Sequence, residues 1–69
     1  MTNWKPDYEN IYWFVTDYLE VDYCYYINTY KDIDRYEFGN MFRTEEEAQR
    51  ALEMVKETLI NFHKEINNG

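Results

Sequence analysis

An α+β fold follows from three observations on this chain of 69 residues. Two short runs of aromatic and β-branched residues lie near its start, which favours strands. A long stripe of apolar residues at helical spacing closes it. Between them stands a polar stretch, and Gly and Pro together number only three, so chain breakers mark few boundaries. The arrangement expected is a two- or three-stranded antiparallel sheet packed against one long C-terminal helix, in a single domain over residues 1–69.

Residues 1–7 contain Pro6 and no periodic pattern, and are expected to be mobile. Residues 9–16 read Glu-Asn-Ile-Tyr-Trp-Phe-Val-Thr. Alternation puts Ile11, Trp13 and Val15 on one face and Tyr12, Phe14 and Thr16 on the other. Residues 17–20 form a turn without Gly. Residues 21–28 read Val-Asp-Tyr-Cys-Tyr-Tyr-Ile-Asn, with Val21, Tyr23, Tyr25 and Ile27 on one face and Asp22, Cys24, Tyr26 and Asn28 on the other. A short connection between two such strands predicts an antiparallel hairpin over 9–28.

Residues 29–38 are polar, with Tyr30, Ile33, Tyr36 and Phe38 spaced through them, and read as a loop with at most one helical turn. Gly39-Asn40 signals a turn, and Met41-Phe42 a very short third strand or an extended lead-in. Thr44-Glu45-Glu46-Glu47 then forms a capping box, with Thr44 accepting from the third helical N–H and Glu47 reaching back to the Thr44 N–H. Glu45 and Glu46 suit the positive end of the helix dipole. Ala48, Ala51, Leu52, Val55, Leu59, Phe62 and Ile66 follow on one stripe, predicting a helix over 45–66 with a frayed tail at 67–69. One helix covers one face of a sheet. Since both strand faces are aromatic, Tyr12, Phe14 and Tyr26 are covered by the 29–38 loop or by a second chain, or they stay exposed as an interaction surface.

The formal net charge is −7, from fourteen acids and seven bases. Binding to nucleic acid requires Lys and Arg to replace phosphate counterions, so direct binding of nucleic acid is not expected. An anionic membrane surface is disfavoured on the same ground. No apolar run reaches membrane-spanning or signal-peptide length, and one thiol forms no internal disulfide, so a cytosolic protein is expected. Aromatics make up 20% of the chain, which lets few side chains build the core of a domain this small.

Residues with chemistry are few. Cys24 and His63 are the only nucleophile and base of the catalytic Cys–His type. Asp22, two residues from Cys24 on the same face, disfavours a thiolate, so no catalytic residues are expected. As metal ligands Cys24 and His63 lack CxxC or HxxxH spacing, so no cofactor is expected and a small metal-binding domain is a minor alternative. Asp32, Asp34 and Glu37 have no evident cleft to separate their acidities for acid–base work. What remains is charge geometry, with acids interleaved with tyrosines from Asp7 to Glu37. Tyrosine brings contact area at low entropy cost, and carboxylates steer basic partners. The partner-binding residues expected are Tyr8, Glu9, Asp22, Tyr26, Asp32, Asp34, Tyr36 and Glu37.

The stretch Gly39-Asn40-Met41-Phe42-Arg43-Thr44-Glu45-Glu46-Glu47-Ala48 resembles the Gly-Asn-x-Phe-x-Thr-x-Glu-Glu-Ala signature of small uncharacterised phage and prophage proteins of Firmicutes. Their aromatic hairpin carries a Tyr-Trp pair, as Tyr12-Trp13 does here. The resemblance spans residues 8–63 and rests on a turn and a capped helix, so it speaks more to fold than to function. It implies a mobile element in a bacterial cytosol and an anti-CRISPR-like inhibitor, acting on a Cas9-type effector by blocking nucleic-acid loading. The protein partner implied is a basic, nucleic-acid-binding nuclease. The alternative is a structural accessory protein that self-associates as a homodimer through exposed sheet faces.

Overall fold

The computed structural model of the chain describes residues 3–68. The fold is α+β, with strands β1 (Ile11–Val15) and β2 (Val21–Tyr25) followed by helices α1 (Tyr30–Glu37) and α2 (Glu45–Asn68). The strands pair antiparallel with Ile11 opposite Tyr25, Trp13 opposite Tyr23 and Val15 opposite Val21. This register keeps the two predicted face sets intact, because side chains alternate with a period of two. The Trp13 and Tyr23 rings meet across the strands, their centroids 5.2 Å apart.

The turn closes without glycine because Leu19 takes a left-handed backbone, φ 60°. The Leu19 N–H donates to the Thr16 carbonyl (3.0 Å), and Thr16 Oγ1 accepts from the Glu20 N–H (3.2 Å). The expected third strand is a single bridge. Phe42 exchanges two backbone hydrogen bonds of 2.9 Å with Trp13. The Asn40 side chain then continues the edge of β1, accepting from the Val15 N–H and donating to its carbonyl, both at 2.8 Å. A side-chain amide here imitates a backbone peptide and satisfies an edge strand's groups.

Residues 29–38, expected as a loop, instead build α1. Thr29 caps it with its own capping box. Thr29 Oγ1 accepts from the Asp32 N–H (3.3 Å), and the Asp32 carboxylate accepts from the Thr29 N–H (3.1 Å). Its far end closes in a Schellman arrangement, the Gly39 N–H donating to the Tyr36 carbonyl (3.1 Å) and the Asn40 N–H to that of Arg35 (2.7 Å). Gly39 supplies the left-handed residue this closure needs, φ 75°. Helix α1 resolves the question of the second aromatic face. Tyr12, Phe14, Tyr26 and Met41 form the core, joined by Trp4, Cys24 and Tyr36.

The start of the chain was expected to be mobile, yet Pro6 is buried and Trp4 packs against the core, with the Arg43 guanidinium over its ring at 5.6 Å. Met1 and Thr2 lie outside the described residues. Helix α2 begins as expected, Thr44 Oγ1 accepting from the Glu47 N–H (3.1 Å), but the Glu47 carboxylate takes the Arg43 N–H (3.3 Å) and not that of Thr44. The helix continues through Asn67 and Asn68, where fraying was expected; Gly69 lies outside the described residues.

Its first half packs against both strands, and Ala51 and Val55 share a cleft with Val15 and Phe42. Helix α2 therefore packs over only the Val15 end of the face opposite α1, where Ile11, Tyr23, Tyr25 and Ile27 stay exposed. Only Ala48 and Leu52 of its stripe are buried. From Val55 onward the stripe is exposed, and the molecule measures 47 × 23 × 20 Å. At 1.5 Å per residue, 24 residues extend about 36 Å, far longer than a sheet of five-residue strands can cover.

Candidate binding surface

The side chains that organise the α1 face form a buried polar network. Asp32 is 2% exposed and Tyr12 wholly buried. The Tyr12 hydroxyl donates to Asp32 Oδ1. Asp32 Oδ2 accepts from the N–H groups of Ile27 and Thr29, each at 3.1 Å. Arg35, one turn along, donates from Nη1 to the Tyr12 hydroxyl (2.8 Å) and to Cys24 Sγ (3.4 Å), and its guanidinium lies 3.8 Å from the centre of the Phe14 ring. Among the described residues no buried side-chain nitrogen or oxygen lacks a partner. A network of this kind fixes one packing arrangement, because each missing bond would leave a desolvated polar group.

Its electrostatics are those of a structural lock. Burial alone would raise the Asp32 carboxyl. The Tyr12 hydroxyl and the N–H groups of Thr29 and Ile27 outweigh it and hold the carboxyl below its ordinary value. Burial, and then the bond to Asp32, push the Tyr12 hydroxyl well above its ordinary value. Arg35 is also raised, the bond to Tyr12 and the charge around it outweighing burial. All three groups therefore keep one protonation state across neutral pH, which suits holding a fold and not exchanging protons.

Beside this lock opens a cleft of about 550 Å³. It lies between the β1–β2 turn and α1. Asp17, Glu20, Asp22 and Asp34 line it, with Tyr18 and Phe38 at its margins. The one basic side chain in its wall, Arg35, is already engaged by Tyr12, Cys24 and Phe14. Tyr18 is 87% exposed and Phe38 85%. Tyr18 and Phe38 are the most exposed of several exposed rings, which include Tyr8, Tyr25 and Tyr30.

The expected partner-binding residues divide into three groups. Asp22 and Asp34 line the cleft together. Glu37 is exposed at the last turn of α1, while Tyr8 and Glu9 are exposed at the open end of the hairpin, roughly 17 Å from the turn for a five-residue strand. Tyr26 and Asp32 are corrected. Both are buried, Tyr26 in the core and Asp32 in the capping network, and neither presents a surface. Tyr36 is half-buried against the core, with the Lys5 ammonium 5.5 Å from its ring centre. Asp17, Tyr18, Glu20 and Phe38 were not among the expected partner-binding residues, although Asp17-Tyr18 belongs to the run of acids interleaved with tyrosines. The signal of Asp17-Tyr18 and Glu20 was present, since they sit in a turn, where side chains face water. Phe38, the C-cap of α1, gave none because α1 itself was read as a loop.

Cys24 lies half-buried beneath Arg35, and His63 is exposed on the outer half of α2 with its ring edge-on to Phe62 at 5.7 Å. Among the described residues no three His, Cys, Asp or Glu side chains are placed to hold a metal ion. No helix there is long and apolar enough to cross a membrane. The chain matches no protein-family model, no curated protein and no solved structure.

Proposed function

We propose that the protein is a non-catalytic binding protein of the bacterial cytosol that docks on a basic, nucleic-acid-binding surface of a defence nuclease and keeps nucleic acid from loading there. The observation that carries this reading is the cleft itself. Asp17, Glu20, Asp22 and Asp34 converge on it, its one base is internally engaged, and Tyr18 and Phe38 stand exposed beside it. Carboxylates in a shared depression attract Lys and Arg at long range, and exposed rings supply contact area and cation–π partners on arrival. The choice of a Cas9-type effector as partner rests only on the resemblance of residues 39–48 to the phage-protein signature. Glu37, on the last turn of α1, adds a further exposed carboxylate.

Target-DNA binding by a Cas9-type ribonucleoprotein, measured with and without the protein and alongside an Asp17→Lys, Asp22→Lys, Asp34→Lys variant, tests this. All three side chains are exposed, and only the Asp22 carboxylate accepts a backbone hydrogen bond, from the Tyr23 N–H (2.8 Å), so unchanged circular dichroism of the variant is checked first. The wild type lowers DNA binding, and the variant is weaker by about 30-fold or more, as expected when several steering charges are reversed. Equal inhibition by both proteins would refute charge-directed docking, and no effect of the wild type would refute the choice of partner.

A further inference from the structure

We propose that a second copy of this chain covers the free half of α2, lying antiparallel to the first. Spacing gives the first indication. Ala48, Leu52, Val55, Leu59, Phe62 and Ile66 recur at intervals of four, three, four, three and four, the seam by which one helix packs on another. Only Ala48 and Leu52 of the stripe are buried in the molecule's own body, and Val55 borders the cleft it shares with Val15 and Phe42. Val55, Leu59, Phe62 and Ile66 are between 42% and 56% exposed.

The free segment matches itself when reversed. With a two-fold axis between Ile60 and Asn61, Val55 falls opposite the second copy's Ile66, and Leu59 opposite its Phe62. The four layers so formed contain only apolar side chains. No polar residue of the segment has to enter the seam.

Charge selects both the occupant and the direction. Residues 54–68 hold Lys56 and Lys64 against Glu57 and Glu65, a formal charge of zero. The chain's net −7 therefore resides wholly in residues 1–53, which keep twelve of the fourteen acids and five of the seven bases. A basic partner is drawn to the body and finds no attraction on the free helix, whereas a second neutral, apolar helix meets no electrostatic opposition there. A parallel pair would set two acidic bodies side by side. In the antiparallel pair the two Glu53 positions lie roughly 22 Å apart along the axis, beyond the ~8 Å over which exposed charges act in physiological salt. Two helices sharing four apolar layers bury on the order of 1,000 Å² in total, the low end for protein interfaces, as in weak or transient association.

Sedimentation equilibrium on the full chain from about 1 to 500 µM tests this, a range suited to weak association. The expected result is a mass that doubles across the range for the wild type and stays single for a Leu59→Asp, Phe62→Asp variant of unchanged circular dichroism. A spin label at Gln49→Cys, in a Cys24→Ser background, reads the direction. Antiparallel pairing separates the two labels by roughly 35 Å along the axis, and parallel pairing brings them within about 20 Å. A single mass for the wild type at the highest concentration, a doubled mass in the Asp variant, or a short label distance would each overturn the proposal.

Discussion

At the scale of single residues, Asp32 does most to define the molecule. It caps α1, accepts from two loop N–H groups, and anchors the Tyr12 hydroxyl beneath Arg35. In an Asp32→Asn variant, one amide oxygen can still receive Tyr12, but the amide nitrogen then faces two backbone donors. Leaving those donors unpaired in a buried place costs about 2–3 kcal/mol, measurable by urea unfolding. The pH dependence has a definite sign. The Asp32 carboxyl is held below its ordinary value in the folded state, so its contribution is fully present above the unfolded value of about 3.9. It is lost as pH falls from there through the depressed folded value. The wild-type advantage over Asp32→Asn should therefore be constant from pH 7 to 5 and shrink below pH 4. A difference between the two that is independent of pH would show that the charge is not what stabilises. Leu19 lies at the opposite extreme, a branched residue held left-handed in an exposed turn. Leu19→Gly should relieve that strain and raise stability by about 0.5–1 kcal/mol.

At the scale of elements, the two helices show why sequence reading succeeds or fails. Helix α2 was legible because its start carries a cap and its stripe is apolar at every turn. The hairpin was legible because alternation with a period of two survives intact in the register from Ile11 to Val15. Helix α1 was not, because its buried anchor is a carboxylate. Counting apolar positions scores Asp32 as surface, although Thr29-x-x-Asp32 is itself a capping signal. The same oversight put Asp32 and Tyr26 among the surface residues. Periodicity also identified the apolar face of α2 without revealing how much of it the body reaches, since it carries no information about the extent of the opposing surface. Two substitutions measure that extent. Leu52→Ala empties a buried position and should cost about 3 kcal/mol. Leu59→Ala, on the free half, should change the stability of the dilute monomer by less than about 0.5 kcal/mol. Gly39→Ala tests the closure of α1 and should cost about 1 kcal/mol, the penalty of a side chain at a left-handed position.

At the scale of the whole molecule, the net charge is confined to residues 1–53, while exposed apolar side chains occur both on that body and along the outer half of α2. The body holds the net negative charge and the acidic cleft, while the outer half of α2 is neutral and apolar. A domain of this size has only a few kcal/mol of stability, so a buried charged network and an uncovered helix are both expensive features. The network is repaid by a unique packing of α1 on the sheet. As proposed above, the acidic cleft serves recognition of a basic partner and the free helix serves association with a second copy. The two surfaces are separable by mutation, because the cleft variant leaves α2 untouched and the helix variant leaves the cleft untouched.

Recognition through the acidic cleft is tested most directly by the salt dependence of binding. Affinity for a Cas9-type ribonucleoprotein would be measured from low to high ionic strength for the wild type and for the Asp17→Lys, Asp22→Lys, Asp34→Lys variant. If the carboxylates steer docking, wild-type affinity falls by about tenfold or more between roughly 50 and 300 mM salt as screening shortens their reach, and the variant is weak throughout with little slope. Equal affinities and equal slopes for the two proteins would contradict recognition through the cleft.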